Sequence, residues 1–212
     1  MCINGTRLLT FPKGIDMNPD PLPISKYAAE NVEDAVTVKV TLRHITPVAD
    51  YQIFNAFKMG NMSEVMHMIE EHKGVNAVDE WGTTILMHAV KKSNINVVAS
   101  LLNTRLPKVD VNMAKSNGYT ALFYAVDLPS TSIMKALLRR GANPNSSVTQ
   151  KGSEGTTPLH VACMLEKVKH AEMLIEFGAD VTAVNHNGVH PLELVPKDAV
   201  HSTKLYFRRI FQ

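Results

Sequence analysis

Cys163 follows His160 by three residues, a spacing that puts a thiol and an imidazole near one face of a helix. A thiolate with an imidazole as its base is a nucleophilic pair. The same two residues also suit plain packing, because a buried cysteine behaves as a small apolar side chain. His186 and His190 are four apart, as a zinc-binding pair would be, but no further Cys or Asp cluster completes a site beside them. The two cysteines, Cys2 and Cys163, cannot build a disulfide framework or a cysteine-rich zinc site. No glycine-rich phosphate loop, Walker sequence or serine-centred elbow occurs. The sequence thus predicts a chain that is not an enzyme and holds no cofactor or metal.

The elements that carry these residues belong to an ordinary water-soluble composition. Of 212 residues, 45% are hydrophobic and 20% charged, enough for one sizeable core or a run of stacked repeats. A formal net charge of +2 creates no strong field, so nucleic acid is not expected as a partner. No apolar run approaches the roughly 20 residues of a bilayer span, and the N-terminus lacks a secretory apolar region. Arg7 and Lys13 are balanced by Asp16 and Asp20, unlike a mitochondrial presequence. The cysteine usage suits a reducing compartment, the cytoplasm or nucleus, with an organelle left open.

Self-comparison reveals a repeat. Four segments align on a glycine: Trp81-Gly82-Thr83-Thr84, Asn117-Gly118-Tyr119-Thr120, Glu154-Gly155-Thr156-Thr157 and Asn187-Gly188-Val189-His190. The glycines are 36, 37 and 33 residues apart. Four residues after each comes a leucine (Leu86, Leu122, Leu159, Leu192), and seven after the first three an alanine (Ala89, Ala125, Ala162). A bulky pair follows at nineteen and twenty: Leu101-Leu102, Leu137-Leu138 and Leu174-Ile175. An earlier copy without the glycine fits the same ruler through Ile53, Ala56 and Met68-Ile69, giving about five units. Thr157-Pro158 suits a helix start, and Gly141 and Gly178 suit left-handed helix ends. The following Asn and Asp residues, as in Ala142-Asn143-Pro144-Asn145, suit an extended turn into the next unit.

Gly155 to Ala162 and Leu174 to Asp180 resemble the ankyrin repeat, with its Gly-x-Thr-Pro-Leu-His-x-Ala core and Leu-Leu-x-x-Gly-Ala-Asp close, almost letter for letter. The resemblance covers roughly residues 50–205. It implies an all-α ankyrin-repeat solenoid of about five helix-turn-helix units with short β-hairpin fingers, in which His160 is structural. In units two and three, Ile85 and Ala121 stand for the family's proline and Met87 and Phe123 for its histidine. Those hydrogen bonds are therefore expected to be lost, and those units to be less regular. Asn103 to Lys108 inserts about three residues, and Ser146 to Ser153 lengthens the next finger by about four. The last unit, with Pro196 soon after its first helix, looks like a degenerate cap, its Lys204 to Phe211 stretch sealing the array.

The predicted organisation is an extended proline-rich arm at 1–49, units at about 50–78, 79–114, 115–151, 152–184 and 185–205, and a tail or cap at 206–212. Within the arm, Val36, Val38, Val40 and Leu42 alternate with Thr37, Lys39, Thr41 and Arg43, the period of one half-buried β-strand near 35–45. That strand could pair with the earlier arm, fold back on the first unit, or add to a partner's sheet edge. The resemblance implies a protein partner, no small-molecule substrate, and a concave face lined by finger residues and first-helix ends. The finger set is Glu80, Trp81, Thr83, Asn117, Tyr119, Glu154, Thr156 and His186; the helices contribute Lys91, Lys92, Asp127, Met164 and Leu165. Trp81, an amphipathic aromatic, is a candidate interface anchor or a packing residue between fingers. Two other roles fit the same features: a constitutive subunit of a large assembly held by arm and inserted loops, or a regulator or inhibitor of a partner enzyme.

Overall fold

The computed structural model of the chain describes residues 6–12, 35–41, 48–71, 73–104 and 108–211. The chain divides into two compact units, Met1–Thr46 and Pro47–Gln212. In the first, β1 (Thr6–Pro12) and β2 (Ala35–Thr41) pair antiparallel, with Thr6 opposite Thr41 and Pro12 opposite Ala35. The arm thus contributes two strands where the alternating valines had pointed to one. Pro12 is compatible with β1 because it sits at the strand's last position, where a missing N–H disturbs the ladder least. Pairing with β1 occupies one edge of β2, so a partner's sheet could add to Val36–Thr41 only along the other edge. Leu42 and residues 43–45 lie outside the described residues, as do 13–34 with the other arm prolines.

The second unit is a stack of helix pairs. They are α1 (Val48–Lys58) with α2 (Met62–Glu70), α3 (Ile85–Lys91) with α4 (Ile95–Asn103), α5 (Ala121–Asp127) with α6 (Ser132–Arg139), and α7 (Pro158–Met164) with α8 (Val168–Glu176). The final pair is a 3₁₀ turn, Pro191–Leu194, with α9 (His201–Ile210). Pro191 opens that turn and Pro196 follows it, which limits the first element of the last unit to a single turn. First helices stack on first helices, α3 on α5, α5 on α7, and α7 on the 3₁₀ turn; α2 packs on α4, α4 on α6, and α8 on α9. α9 runs through residue 205, so one helix joins the end of the expected last unit to the expected tail, and its Phe207 is fully buried.

The repeat ruler marks the core. Leu86, Leu122 and Leu159 are at most 1% exposed, and Ala89, Ala125 and Ala162 at 0%. The alanines allow first helices to approach closely, and Leu101, Leu137 and Leu174 close the space behind them. Ile53, Ala56, Met68 and Ile69 do the same in the glycine-less first unit. Thr84 caps α3 by accepting the Met87 N–H at 3.1 Å, a backbone bond that does not depend on the side chain at position 87. In unit three the Thr120 hydroxyl is buried and has no partner, so the start of α5 lacks the cap that α3 keeps.

Units two to five each begin in a finger turn closed by its glycine. Asp79 N–H donates to Thr83 O, Lys115 N–H to Tyr119 O and Asn185 N–H to Val189 O, at 3.0–3.1 Å. In the fourth finger Val148 pairs with Thr156 instead, making that loop four residues longer, as the Ser146–Ser153 insertion requires. Of the other insertion, residues 105–107 lie outside the described residues. Neighbouring fingers are joined, Thr149 N–H to Asn117 O and His186 N–H to Glu154 O. At Gly118, with φ +86°, a Cβ would stand 2.6 Å from Ser147 O and 2.7 Å from Thr149 N.

Behind the fingers runs a ladder of asparagines. Asn76 Nδ2 donates to Lys108 O and its Oδ1 accepts the Asp110 N–H. Asn112 grips Gly141 O and Asn143 N–H at 2.9 and 2.8 Å, and Asn145 grips Gly178 O and Asp180 N–H at 2.9 and 2.7 Å. The gripped Asp110, Asn143 and Asp180 each accept the N–H two residues on, which sets the loop that carries the next grip. Thr182 occupies the following rung and offers no amide.

Asn112→Ala removes two inter-unit bonds and lowers unfolding free energy by about 1–2 kcal/mol in urea titrations, whereas Asn187→Ala, whose side chain grips nothing, changes it by less than about 0.5 kcal/mol. Gly118→Ala combines a left-handed backbone with a backbone collision; its cost exceeds the roughly 1 kcal/mol expected for Gly141→Ala, where the added carbon meets nothing within 4 Å.

Candidate functional site

The second finger presents an exposed aromatic ring at its tip. Asp79 Oδ1 accepts the N–H groups of Trp81 at 3.0 Å and Thr83 at 2.7 Å, while Oδ2 bonds His88 Nε2 at 2.8 Å. Burial pushes the Asp79 carboxyl up, but the His88 bond and the two N–H donors together outweigh it and hold it below the usual range. The turn is thereby fixed while the Trp81 ring stays 65% exposed. Behind it, Phe54 meets the His88 ring in a T-shaped pair and Phe57 lies tilted beside it, centroids 5.6 and 6.2 Å away. Neither Asp79 nor His88 was singled out from the sequence. Their signal was available, since Asp79 stands three before a repeat glycine and His88 six after it.

The remaining expected residues divide by exposure. Glu80 and His186 are exposed at finger tips, and the His186 N–H joins the neighbouring finger through Glu154 O. Thr83 is corrected: it is only 8% exposed, because its N–H and carbonyl both close the turn onto Asp79, so it offers no surface. Asn117 Oδ1 accepts the Tyr119 N–H, Glu154 accepts the Gly152 N–H, and Thr156 O accepts from Val148, so these three build turns as well as facing outward. Tyr119 is half-buried against Phe123 and Tyr124, with centroids 5.0 and 6.1 Å away. Burial first, and then the charges of Tyr119 and Asp79, raise the Tyr124 phenol.

At the ends of the stacked first helices lie Lys91 and Lys92 on α3, Asp127 on α5, and Met164 and Leu165 on α7, all exposed. Because α3, α5 and α7 pack side by side at one register, these positions form a row that passes from basic through acidic to apolar. The lysines suit the negative end of α3, whereas Asp127 ends α5 against its dipole. Met164 and Leu165 remain 51% and 38% exposed.

The thiol–imidazole pair has no nucleophile. Cys163 is completely buried, and burial pushes its thiol up to about 12, so it is protonated at neutral pH. His160 faces elsewhere. Its Nδ1 accepts the Thr157 N–H at 3.2 Å and meets the Thr157 hydroxyl at 2.8 Å, which leaves Nε2 to donate to Val189 O at 3.1 Å. The ring therefore caps α7 and ties the fourth unit to the fifth finger. His186 and His190 gain no third ligand: among the described residues no cluster of three or more His, Cys, Asp or Glu side chains could hold a metal ion. No helix among them is long and apolar enough to cross a membrane.

The helix pairs, glycine-closed fingers and inter-unit asparagines agree with what comparison finds. A family model for ankyrin repeats in three copies matches residues 53–148, and one for a single ankyrin repeat matches residues 154–186, together more than half of the chain. The chain belongs to the ankyrin-repeat family. It is similar to ankyrin repeat and SOCS box protein 11 of Danio rerio, 36% identical over 115 residues, which are 54% of this chain and 36% of that protein. It is also similar to protein phosphatase 1 regulatory subunit 27 of Homo sapiens, 29% identical over 122 residues, 58% of this chain and 75% of that one. A putative ankyrin repeat protein of Fowlpox virus, FPV024, is 32% identical over 112 residues, 52% of this chain but 18% of its own length. Against the Fowlpox and Danio proteins, this ankyrin chain spans about a third of the relative's length or less.

Two buried histidines set an acid limit on the array. Burial first lowers the pKa of both His160 and His170, with nearby His190 and Lys167 charges adding to the effect. A depressed pKa stabilises the fold above the unfolded value of about 6.5, and that stability is lost as pH falls toward the folded values. The melting temperature in phosphate-free buffer is expected to hold above that pH and to decline below it, less steeply in His170→Val.

Proposed function

We propose that this ankyrin array is a non-catalytic interaction module that holds a partner protein across its finger tips and first-helix ends. The observation that carries the reading is the second finger: a largely exposed Trp81 on a turn fixed by Asp79. An aromatic side chain held on a rigid support loses little conformational freedom on binding and makes a good anchor. Met164 and Leu165 add apolar surface on α7, and Lys91, Lys92 and Asp127 would give the row its electrostatic register. Membership of the ankyrin family supports protein binding as the activity. In this reading the arm before residue 50 is a separate module, and the partner is met inside the cell.

A second reading is regulation of a partner enzyme, supported by the printed name of one relative, a phosphatase regulatory subunit that the alignment covers for most of its length. Both readings use the same face and differ in whether the partner's activity changes.

The test is affinity capture of tagged full-length protein from its own cells, beside Trp81→Ala and the pair Met164→Ser, Leu165→Ser. Tyr119 is kept, since its packing on Phe123 would confuse binding with folding. A partner captured by the parent and weakened about tenfold or more by Trp81→Ala, with an unchanged melting curve, supports the face. Capture indifferent to all three substitutions would sink it.

A further inference from the structure

The joint between the third and fourth units departs from those before it. In the first two units an asparagine caps the second helix: Asn61 Oδ1 accepts the Glu64 N–H and Asn94 Oδ1 the Val97 N–H, at 3.3 and 3.2 Å. Thr131 and Lys167 open α6 and α8, and neither side chain caps its helix. An ammonium beside a helix N-terminus is the reverse of what the dipole favours. α6 and α8 also make looser contact than α4 with α6 or α8 with α9. Between them lies an open cleft lined by Ser130, Thr131, Glu166, Lys167, Lys169 and His170.

His170 supplies the independent observation. It is 3% exposed, lines the cleft, and its Nε2 has no hydrogen-bond partner. Units two and three fill the same place, fifteen residues after the finger glycine, with the buried apolar Val97 and Ile133. A desolvated nitrogen there gains nothing by packing alone and calls for a polar partner, a water or a ligand. Lys167 already reaches across the cleft, its Nζ 3.5 Å from Leu128 O.

We propose that this cleft binds a phosphoryl oxyanion, with His170 Nε2, Lys167, Lys169 and the Ser130 and Thr131 hydroxyls as donors beside the positive ends of α6 and α8. Two cations and two positive helix ends repel a metal ion. The donors come from both walls, more than the two oxygens of a carboxylate can engage, whereas a phosphoryl group offers three or four. Binding is coupled to a proton. Burial and Lys167 keep the free His170 ring neutral, against the carbonyls of Leu128 and Ser130, which favour its charge. An anion at Nε2 tips that balance, so the ring takes up a proton and affinity rises as pH falls. The charged groups lining the cleft are Lys167, Lys169 and the opposing Glu166, which is exposed at the rim. The cleft is separate from the finger row, so the proposal does not depend on what the fingers hold.

The test titrates the full chain with inorganic phosphate at ionic strength fixed by sodium chloride, following the ring nitrogens of the nine histidines by NMR. The expected result is a saturable change at His170 and titration of its ring at higher pH when phosphate is present. Lys167→Gln with Lys169→Gln weakens binding by about tenfold or more. His170→Val, which copies Val97, keeps the fold and abolishes the gain in affinity on lowering pH. N-acetyl-phosphoserine amide distinguishes the source: equal affinity assigns the site to a phosphorylated protein chain, and binding of inorganic phosphate alone assigns it to the free ion. A response no larger than that to chloride, or an affinity untouched by the lysine pair, overturns the site.

Discussion

A unit of this array cannot satisfy itself. Two short helices leave an apolar face and several loop amides open, and both are completed by the next unit. The asparagine grip is where the two requirements meet. Asn112 reaches forward to Gly141 O and Asn143 N–H, fixing the distance at which Leu122 and Ala125 on one unit meet Leu86 and Ala89 on the other. An amide is suited to this because it donates and accepts within one planar group. Close alanine packing tolerates little slippage, so the grip and the core select the same register.

That register makes a functional surface available. Fingers bonded to one another and first helices packed at a common height turn scattered residues into rows. The residues on the rows are then free of folding duty to different degrees. Trp81 and Met164 have little, Asn117 and Glu154 share their polar atoms with a turn, and Thr83 has none to spare. In the proposed function the rows recognise a partner by shape and charge. The one thiol described in the array sits inside the core and stays protonated.

The fold was legible because the repeat constrains apolar positions, and apolar positions are what a fixed ruler detects. Leu86, Ala89 and Leu101 were all marked, as was the lengthened fourth finger. Polar partners were less legible. Asn145 was assigned to a turn and Asn76 and Asn112 were not singled out, because their bonds reach about one full unit along the chain, beyond any local spacing argument. Thr83 looked like a finger-tip residue because the sequence cannot say which way a turn faces. His170 passed unnoticed since a lone histidine in a helix has no pattern; it stands out only when its unit is laid over units carrying Val97 and Ile133. β1 was hidden by the arm's prolines, although Pro12 lies at its very end.

The ladder stops at Thr182, and the fifth unit is fastened differently from the other four. It hangs from the His186–Glu154 finger bond, from the donation of His160 Nε2 to Val189 O, and from Phe207 buried beside α8. Charging His160 would set a proton on Nδ1 against the Thr157 N–H and disturb the ring that makes this fastening. The interior joints use amides, which do not titrate. The array therefore has a proton-sensitive fastening at its C-terminal end, and mild acid, which also charges His170 in the fourth unit, would loosen the last two units before the first two.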